Sequence, residues 1–173
     1  MIRTVYFSLL ISFLYSCSNS DVQPFYCDAE KLEKVGSTQK FFSDGHHFDS
    51  GETQSSEAAR SGKYSVKLDK EHPFSMNIYI NDCSPGEVLE ATVWRKNKDG
   101  KSGFIVISAD NNSFYNKIDI PLEKDSEGWE KLKLRVIVPF GIEKSDVKVH
   151  VHNPTENVVY FDDLLIERRP PLT

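Results

Sequence analysis

Residues 131–138 read KLKLRVIV, and residues 147–152 read VKVHVH. In both stretches an apolar residue occupies every second position, which is the period of a β-strand with one face in a core. From residue 63 onward the same alternation recurs about every ten residues, and turn residues separate its copies. No stretch has a helical period long enough to set the fold class. The sequence therefore predicts an all-β protein.

The spacing of the predicted strands indicates how they are arranged. Parallel strands need long crossover connections, and no helix separates these strands, so we expect antiparallel sheets. Roughly eight such strands suit two stacked sheets around one core, a β-sandwich of the jelly-roll type. We expect a single domain at 25–169 and a short tail at 170–173. The less regular stretch at 27–69 is expected to supply an edge strand or two and a long loop.

The first residues are typical of an export signal. Arg3 is followed by a short apolar stretch, residues 5–14, and then by a serine and a cysteine. This order predicts a lipoprotein-type signal peptide at 1–16, because a cysteine directly after the cleavage site resembles the lipobox of bacterial lipoproteins. We expect lipid on Cys17 to hold the chain at a bacterial membrane, at the outer membrane or cell surface, with 17–24 as a tether. The alternative is a periplasmic or secreted protein without an anchor.

Charge and motifs exclude several classes of function. The 173 residues include 21 Lys and Arg against 26 Asp and Glu, a formal net charge of −5. That balance lacks the broad basic field of non-specific nucleic-acid binding, so we expect no nucleic-acid partner. The sequence contains no Gly-x-Ser-x-Gly elbow, no phosphate-binding glycine loop and no His-Glu-x-x-His motif, so we expect no enzyme.

Two cysteines remain besides Cys17. Exported proteins keep disulfides, and a bridge between Cys27 and Cys83 would close a long loop and stabilise the fold by roughly 3–4 kcal/mol. The alternative is that both residues are small buried thiols. The sequence leaves the two interpretations open.

Three local patterns follow one another along the chain. They are ARSGKYSVKL at 59–68, PGEVLEATVWR at 85–95, and GWEKL at 128–132 with YFDDLLI at 160–166. Together they resemble the carbohydrate-binding-module jelly rolls of the galactose-binding-like group. The resemblance implies a jelly-roll fold and a non-catalytic role in binding carbohydrate.

The acidic pair Asp162-Asp163 in the last pattern needs a partner. Neighbouring strand residues point to opposite faces, so one carboxylate approaches the core or a sheet edge, at a cost of several kcal/mol unless a cation or several donors meet it. In the resembling modules the partner is often a structural calcium ion. The resemblance implies calcium bound by Asp163 with Asp28 or Glu30. The alternative is that backbone amides donate to the pair.

Polar and aromatic residues on the predicted strands are candidates for sugar binding. Aromatic rings stack on the apolar side of a sugar ring, while amides and other polar groups bind its hydroxyls. The strand faces opposite the apolar rows, with one loop tip, supply the candidates Asn77, Tyr79, Trp94, Phe114, Tyr115, His150 and His152. Two of them have alternatives: Trp94 also suits the core, and Phe114 also suits a turn with its ring directed inward.

These observations predict a non-catalytic module that binds a glycan or an envelope polysaccharide. The alternative is a structural domain whose sandwich binds a protein partner in the cell envelope. Aromatic residues converging on one sheet favour a glycan, whereas a flat apolar patch of several hundred Å² favours a protein.

Overall fold

The computed structural model describes residues 23–97, 102–109, 113–141 and 143–171. The predicted signal peptide, Cys17 and most of the predicted tether lie outside the described residues. Within these ranges we find no candidate for a membrane-spanning helix. The strands are β1 (Phe25–Cys27), β2 (Leu32–Val35), β3 (Thr38–Ser43), β4 (His46–Phe48), β5 (Gln54–Ser55), β6 (Ser65–Leu68), β7 (Phe74–Cys83), β8 (Val88–Asn97), β9 (Phe104–Ala109), β10 (Tyr115–Ile118), β11 (Glu123–Lys124), β12 (Glu130–Ile137), β13 (Ser145–His152) and β14 (Val159–Arg169).

Two sheets form the sandwich. The larger sheet has the order β11-β12-β8-β14-β6-β5, with β1 also paired to β14, and the four-stranded sheet has the order β10-β9-β13-β7. Each of these pairings is antiparallel. The structure therefore confirms the predicted all-β sandwich of two antiparallel sheets.

The core lies between these sheets and follows the alternation of the sequence. Leu132, Leu134 and Val136 of the larger sheet are buried, as are Val147, Val149 and Val151 of the four-stranded sheet. Fully burying an aliphatic side chain of this size stabilises the fold by roughly 1.5–3 kcal/mol. The alternation of apolar and polar residues in the sequence therefore predicts correctly which face of each sheet packs against the other sheet.

The region at 27–69 is more regular than the sequence predicts. β2, β3 and β4 form a small third sheet, and β1 joins the larger sheet by pairing with β14. Glycines at φ 63° and φ 81°, Gly36 and Gly45, occupy the two turns of the small sheet. These strands have three to six residues, which is too short for a clear alternation of apolar and polar residues.

Of the two interpretations of Cys27 and Cys83, the structure does not have the disulfide bridge. Both residues are free and buried. Cys27 lies on β1 opposite Leu164, whereas Cys83 ends β7 and its thiol contacts the Ile80 carbonyl at 3.4 Å. The alternative of two buried thiols therefore describes the structure.

A buried ion pair closes one end of the core. Arg95 is fully buried, and its guanidinium donates to the Glu130 carboxylate and to the Gly103 carbonyl, at 2.6 Å in each case. Alternation along β8 places Arg95 in the inward row with Ala91 and Val93, so its charge needs these two acceptors.

Candidate ligand-binding face

Three rows of side chains cross the outer face of the four-stranded sheet. The strand register brings together side chains that point away from the core, because the intervening residues Ile78, Ile105, Ile107, Val147 and Val149 belong to the core. We call these eleven residues the aromatic face: Tyr115, Ser108, Lys148 and Tyr79 in the first row, Lys117, Val106, His150 and Asn77 in the second, and Phe104, His152 and Phe74 in the third.

The third row is a cluster of rings in contact. The His152 ring stacks on Phe74, with 4.1 Å between centroids and 18° between planes. The Phe104 ring meets His152 edge-on at 4.9 Å, and His150 of the second row lies 5.7 Å from Phe74. Such contacts fix ring orientation, so the cluster is a preformed surface.

Exposure divides the aromatic face into a rim and a centre. Tyr115 is 57% exposed, and Phe74 and Tyr79 are each 43% exposed. At the centre, His150 and Val106 are buried. The exposed rim of aromatic rings is available to stack against a sugar.

Two polar atoms in the second row are buried without a hydrogen-bond partner. They are Oδ1 of Asn77 and Nδ1 of His150. The Asn77 amide nitrogen donates to the Ser50 hydroxyl at 2.8 Å, which holds the side chain in place. An unsatisfied buried polar group costs about 1–3 kcal/mol.

His150 is held in its neutral form. Burial is the main cause that lowers the pKa of His150 to about 3, and the neighbouring Lys148 and His152 add to the shift. Burial and Lys117 also lower the pKa of His152. A neutral imidazole has one donor and one acceptor nitrogen, which suits a hydroxyl partner.

Five of the residues predicted from sequence come together on the aromatic face. They are Asn77, Tyr79, Tyr115, His150 and His152. The sequence analysis missed Phe74, which alternation assigns to the apolar row of β7. A β-bulge at Met76, with φ 50°, shifts the pairing between β7 and β13 and places Phe74 on the outer face.

Trp94 and Phe114 lie elsewhere. Trp94 belongs to β8 of the larger sheet, so its ring is on the opposite side of the sandwich from the aromatic face. There the Arg60 guanidinium lies 3.7 Å from its ring centroid and the Lys131 ammonium lies 5.5 Å from it. Trp94 is therefore half-buried between two cations rather than placed in the core, and Phe114 packs against the core.

Asp162 of the acidic pair accepts hydrogen bonds from backbone amides. One carboxylate oxygen accepts from the N–H groups of Arg60 and Ser61 at 2.7 and 3.2 Å, and the other accepts from Asp163 N–H at 2.8 Å. Burial raises the pKa of Asp162 to about 7, although these amides act in the opposite direction. The alternative interpretation of the pair, donation by backbone amides, applies to this residue.

Asp163 is paired with a cation from the protein itself. Its carboxylate accepts from the Arg60 guanidinium at 2.9 Å and from the hydroxyls of Tyr26 and Ser61 at 2.7 Å each. The residue has φ 52° at a bulge in β14, which turns its side chain towards these donors.

The predicted calcium ligands do not fit a calcium ion. A carboxylate oxygen of Glu30 accepts from the N–H groups of Lys63 and Tyr64 at 2.7 Å each, and Asp28 accepts from Glu30 N–H at 3.1 Å. Calcium requires six to eight oxygen ligands, whereas one oxygen of each of Asp28 and Glu30 and both oxygens of Asp163 already accept from protein donors, with the Arg60 cation among them. In the part of the chain that the structure describes, no three His, Cys, Asp or Glu residues form a metal-binding group.

A cavity of about 510 Å³ lies beside β14 on the larger sheet. Glu57 in its wall accepts from the Tyr160 hydroxyl at 2.7 Å and from the Lys67 ammonium at 2.6 Å. These three polar groups of the lining therefore bind one another.

We compared the chain with known proteins by sequence and by structure. No protein-family model matches the chain, and no curated protein matches it in sequence. Among solved structures, the C-terminal family 22 carbohydrate binding module of Clostridium thermocellum Xyn10B matches with a TM-score of 0.54 and 14% identity, over 86% of this chain and 96% of that one. The CBM22-1 xylan-binding domain of Paenibacillus barcinonensis Xyn10C matches with a TM-score of 0.52 and 14% identity, over 83% and 92%.

The chain has the jelly-roll fold of carbohydrate-binding modules. A cyclase from Fischerella sp. TAU matches the same fold with a TM-score of 0.50 and 11% identity, over 87% of this chain and 86% of the enzyme. The fold thus includes proteins of different function, and the function of this chain has to be argued from its own residues.

Proposed function

We propose that the protein is a non-catalytic glycan-binding module and that the aromatic face is its binding site. The observation that carries the proposal is the cluster of rings on one sheet face, with Phe74, Tyr79 and Tyr115 exposed at its rim. Rings that stack on a sugar and polar atoms that bind its hydroxyls are the two components of a sugar site. The xylan-binding and ligand-binding modules of similar fold support the same class of ligand.

The chemistry of the aromatic face favours binding over catalysis. Its eleven residues include no carboxylate, whereas glycoside hydrolysis uses a pair of them. His150 is held neutral by burial, with its pKa far below the range in which a general acid or base works near neutral pH. These features support a module that holds its ligand without changing it.

We further propose that the module is exported and attached to the bacterial envelope by lipid on Cys17. The support is the order of charge, apolar stretch and cysteine in residues 1–17. β1 begins at Phe25, so the eight residues from Cys17 span at most about 28 Å when extended. The sandwich would then act close to the membrane. In this proposal, Cys17→Ser moves the protein from the membrane fraction to the soluble fraction of a bacterial host.

The binding proposal is tested by titrating the purified protein with a panel of soluble polysaccharides in a calorimeter. We expect binding to at least one polysaccharide and about tenfold weaker binding by Phe74→Ala, a loss of about 1.4 kcal/mol. The matched control is Phe140→Ala, which removes a ring that is 79% exposed outside the aromatic face. No binding to any member of the panel, or equal binding by Phe74→Ala, would overturn the proposal and favour a protein partner.

A further inference from the structure

Two lysines of the aromatic face are positioned over aromatic rings. The Lys117 ammonium lies 4.4 Å from the Phe104 ring centroid, and the Lys148 ammonium lies 5.8 Å from that of Tyr79. Lys117 lies on β10 and Lys148 two strands away on β13, one row apart in the register. With the spacings of a β-sheet, their Cα atoms are about 12 Å apart. Both cations therefore belong to one surface large enough for several sugar units.

Neither lysine is neutralised within the described residues. Seven other lysines form ion pairs with carboxylates there, whereas Lys117 and Lys148, like Lys34, Lys63, Lys96 and Lys144, form none. The acidic residues next along their strands are Asp119, which lies beyond the end of β10, and Asp146, whose carboxylate accepts from Asp82 N–H. The eleven residues of the aromatic face thus carry two lysines and no carboxylate, on a chain whose net charge is −5.

A positive face on an acidic protein selects its ligand by charge. An ammonium group that lacks a carboxylate attracts an anion with little competition from its own protein, and aromatic surroundings reduce the screening by water. The binding affinity of a neutral sugar does not increase because of these positive charges. Carboxylate and sulfate groups of a polysaccharide gain from them at both lysines when the chain lies across the rows.

We propose that the aromatic face binds an anionic glycan, one that carries carboxylate or sulfate groups, in preference to a neutral one. This inference rests on the proposed function and specifies its ligand. Aromatic stacking holds the sugar rings, and Lys117 and Lys148 each pair with an acidic substituent. Because the pairs are partly exposed, their contribution falls as salt rises.

The experiment compares three ligands with the purified protein. Polygalacturonate supplies carboxylates, dextran sulfate supplies sulfates and soluble xylan serves as the neutral probe, each titrated at 20 mM and at 500 mM NaCl. We expect at least tenfold tighter binding to one anionic polymer than to xylan at low salt, and loss of most of that preference at high salt. The anionic polymer that binds more tightly distinguishes carboxylate from sulfate.

The deciding variant is the double substitution Lys117→Met and Lys148→Met. We expect it to remove the preference for the anionic polymer, so that the ratio of the dissociation constants for xylan and for that polymer falls to about one. Its control is Lys34→Met with Lys144→Met, which removes the same charge at two exposed lysines outside the aromatic face. Melting temperatures of both double variants confirm that they fold.

Each outcome of this experiment decides the inference. Equal binding to xylan and the anionic polymers overturns the anionic preference and leaves the proposed function in place. A preference that survives Lys117→Met with Lys148→Met, or that the control variant also loses, overturns the assignment to these lysines. The absence of binding to all three polymers and to the wider panel overturns both the inference and the proposed function.

Discussion

The two outer faces of the sandwich use the same residue types in opposite ways. On the larger sheet, Arg60 and Lys131 lie over Trp94, and each cation is paired with a carboxylate, Asp163 at 2.9 Å and Glu123 at 3.1 Å. On the four-stranded sheet, lysines also lie over aromatic rings but have no carboxylate within the described residues. On the larger sheet the cations over Trp94 are therefore neutralised by the protein's own carboxylates, and on the four-stranded sheet the lysines are not.

The difference shows that an aromatic residue near a cation does not by itself indicate a binding site. The Trp94 cluster satisfies its charges internally, so substitutions there are expected to reduce the free energy of unfolding. The aromatic face leaves charges and polar atoms unsatisfied, so substitutions at its rim are expected to weaken ligand binding. Whether the cations over the rings are paired with carboxylates is the feature that separates the Trp94 cluster from the aromatic face.

The largest expected effect is that the two faces respond to pH in opposite directions. Burial lowers the pKa of His150 to about 3, so its contribution to stability is lost as pH falls below the unfolded value of about 6.5. Burial raises the pKa of Asp162 to about 7, so its contribution is lost as pH rises above about 4. Between about pH 4 and pH 6.5 the two titrations therefore change the stability of the wild-type protein in opposite directions.

Single substitutions should separate the two titrations. Between pH 4.5 and 6.5, we expect the stability of Asp162→Asn to rise with pH relative to wild type, and that of His150→Phe to fall. Each slope should differ from wild type by on the order of 1 kcal/mol per pH unit. Urea unfolding at three pH values measures the slopes, with exposed Asp119→Asn as the control. Slopes equal to that of the wild type would show that neither group is perturbed.

The next effect concerns the cation that pairs with Asp163. Arg60→Ala should lower the free energy of unfolding by about 2 kcal/mol, because the Asp163 carboxylate then lies beside Asp162 without a positive charge. In a domain of this size that corresponds to a melting temperature roughly 4–8 °C lower. The control is Lys63→Ala, an exposed lysine of the same loop.

A chelator tests the same pairing independently. Because Arg60 already supplies the positive charge, 5 mM EDTA should leave the melting temperature of the wild-type protein unchanged. A decrease with EDTA that added calcium restores would show that a metal ion, and not Arg60 alone, balances the acidic pair.

The smallest effect is a contrast between two alanine substitutions, Trp94→Ala and Phe74→Ala. Trp94→Ala should cost about 1 kcal/mol of stability, since it removes the ring beneath Arg60, and should leave the dissociation constant for the glycan within twofold. Phe74→Ala should have the reverse pattern. Urea unfolding and calorimetric titration of both variants decide the point. Tenfold weaker binding by Trp94→Ala would move the ligand site to the larger sheet.

Strand alternation predicts most of this fold, because residues such as Leu132, Val136 and Val149 report directly which face is buried. It also brings His150 and His152 to one face with Tyr79. Alternation fails where the register changes. The bulge at Met76 moves Phe74 to the outer face, and no local sequence signal marks that shift.

Assignment of strands to sheets is the second limit of prediction from sequence. Trp94 and Tyr79 lie on outward rows of two strands that are consecutive in the chain, β7 and β8, but these strands belong to different sheets. The partner of the acidic pair is another non-local feature, since Arg60 is about a hundred residues from Asp163 in sequence and 2.9 Å from it in space.

The unbridged cysteines make the stability of each sheet measurable. Cys27 joins the larger sheet through β1, and Cys83 ends β7 of the four-stranded sheet. Burial raises the thiol pKa to about 12 for Cys27 and to about 11 for Cys83, so alkylating reagents find little thiolate in the native state. Under mild denaturant, the separate labelling rates of the two sulfurs in peptide mass spectra would reveal which half of the sandwich opens first.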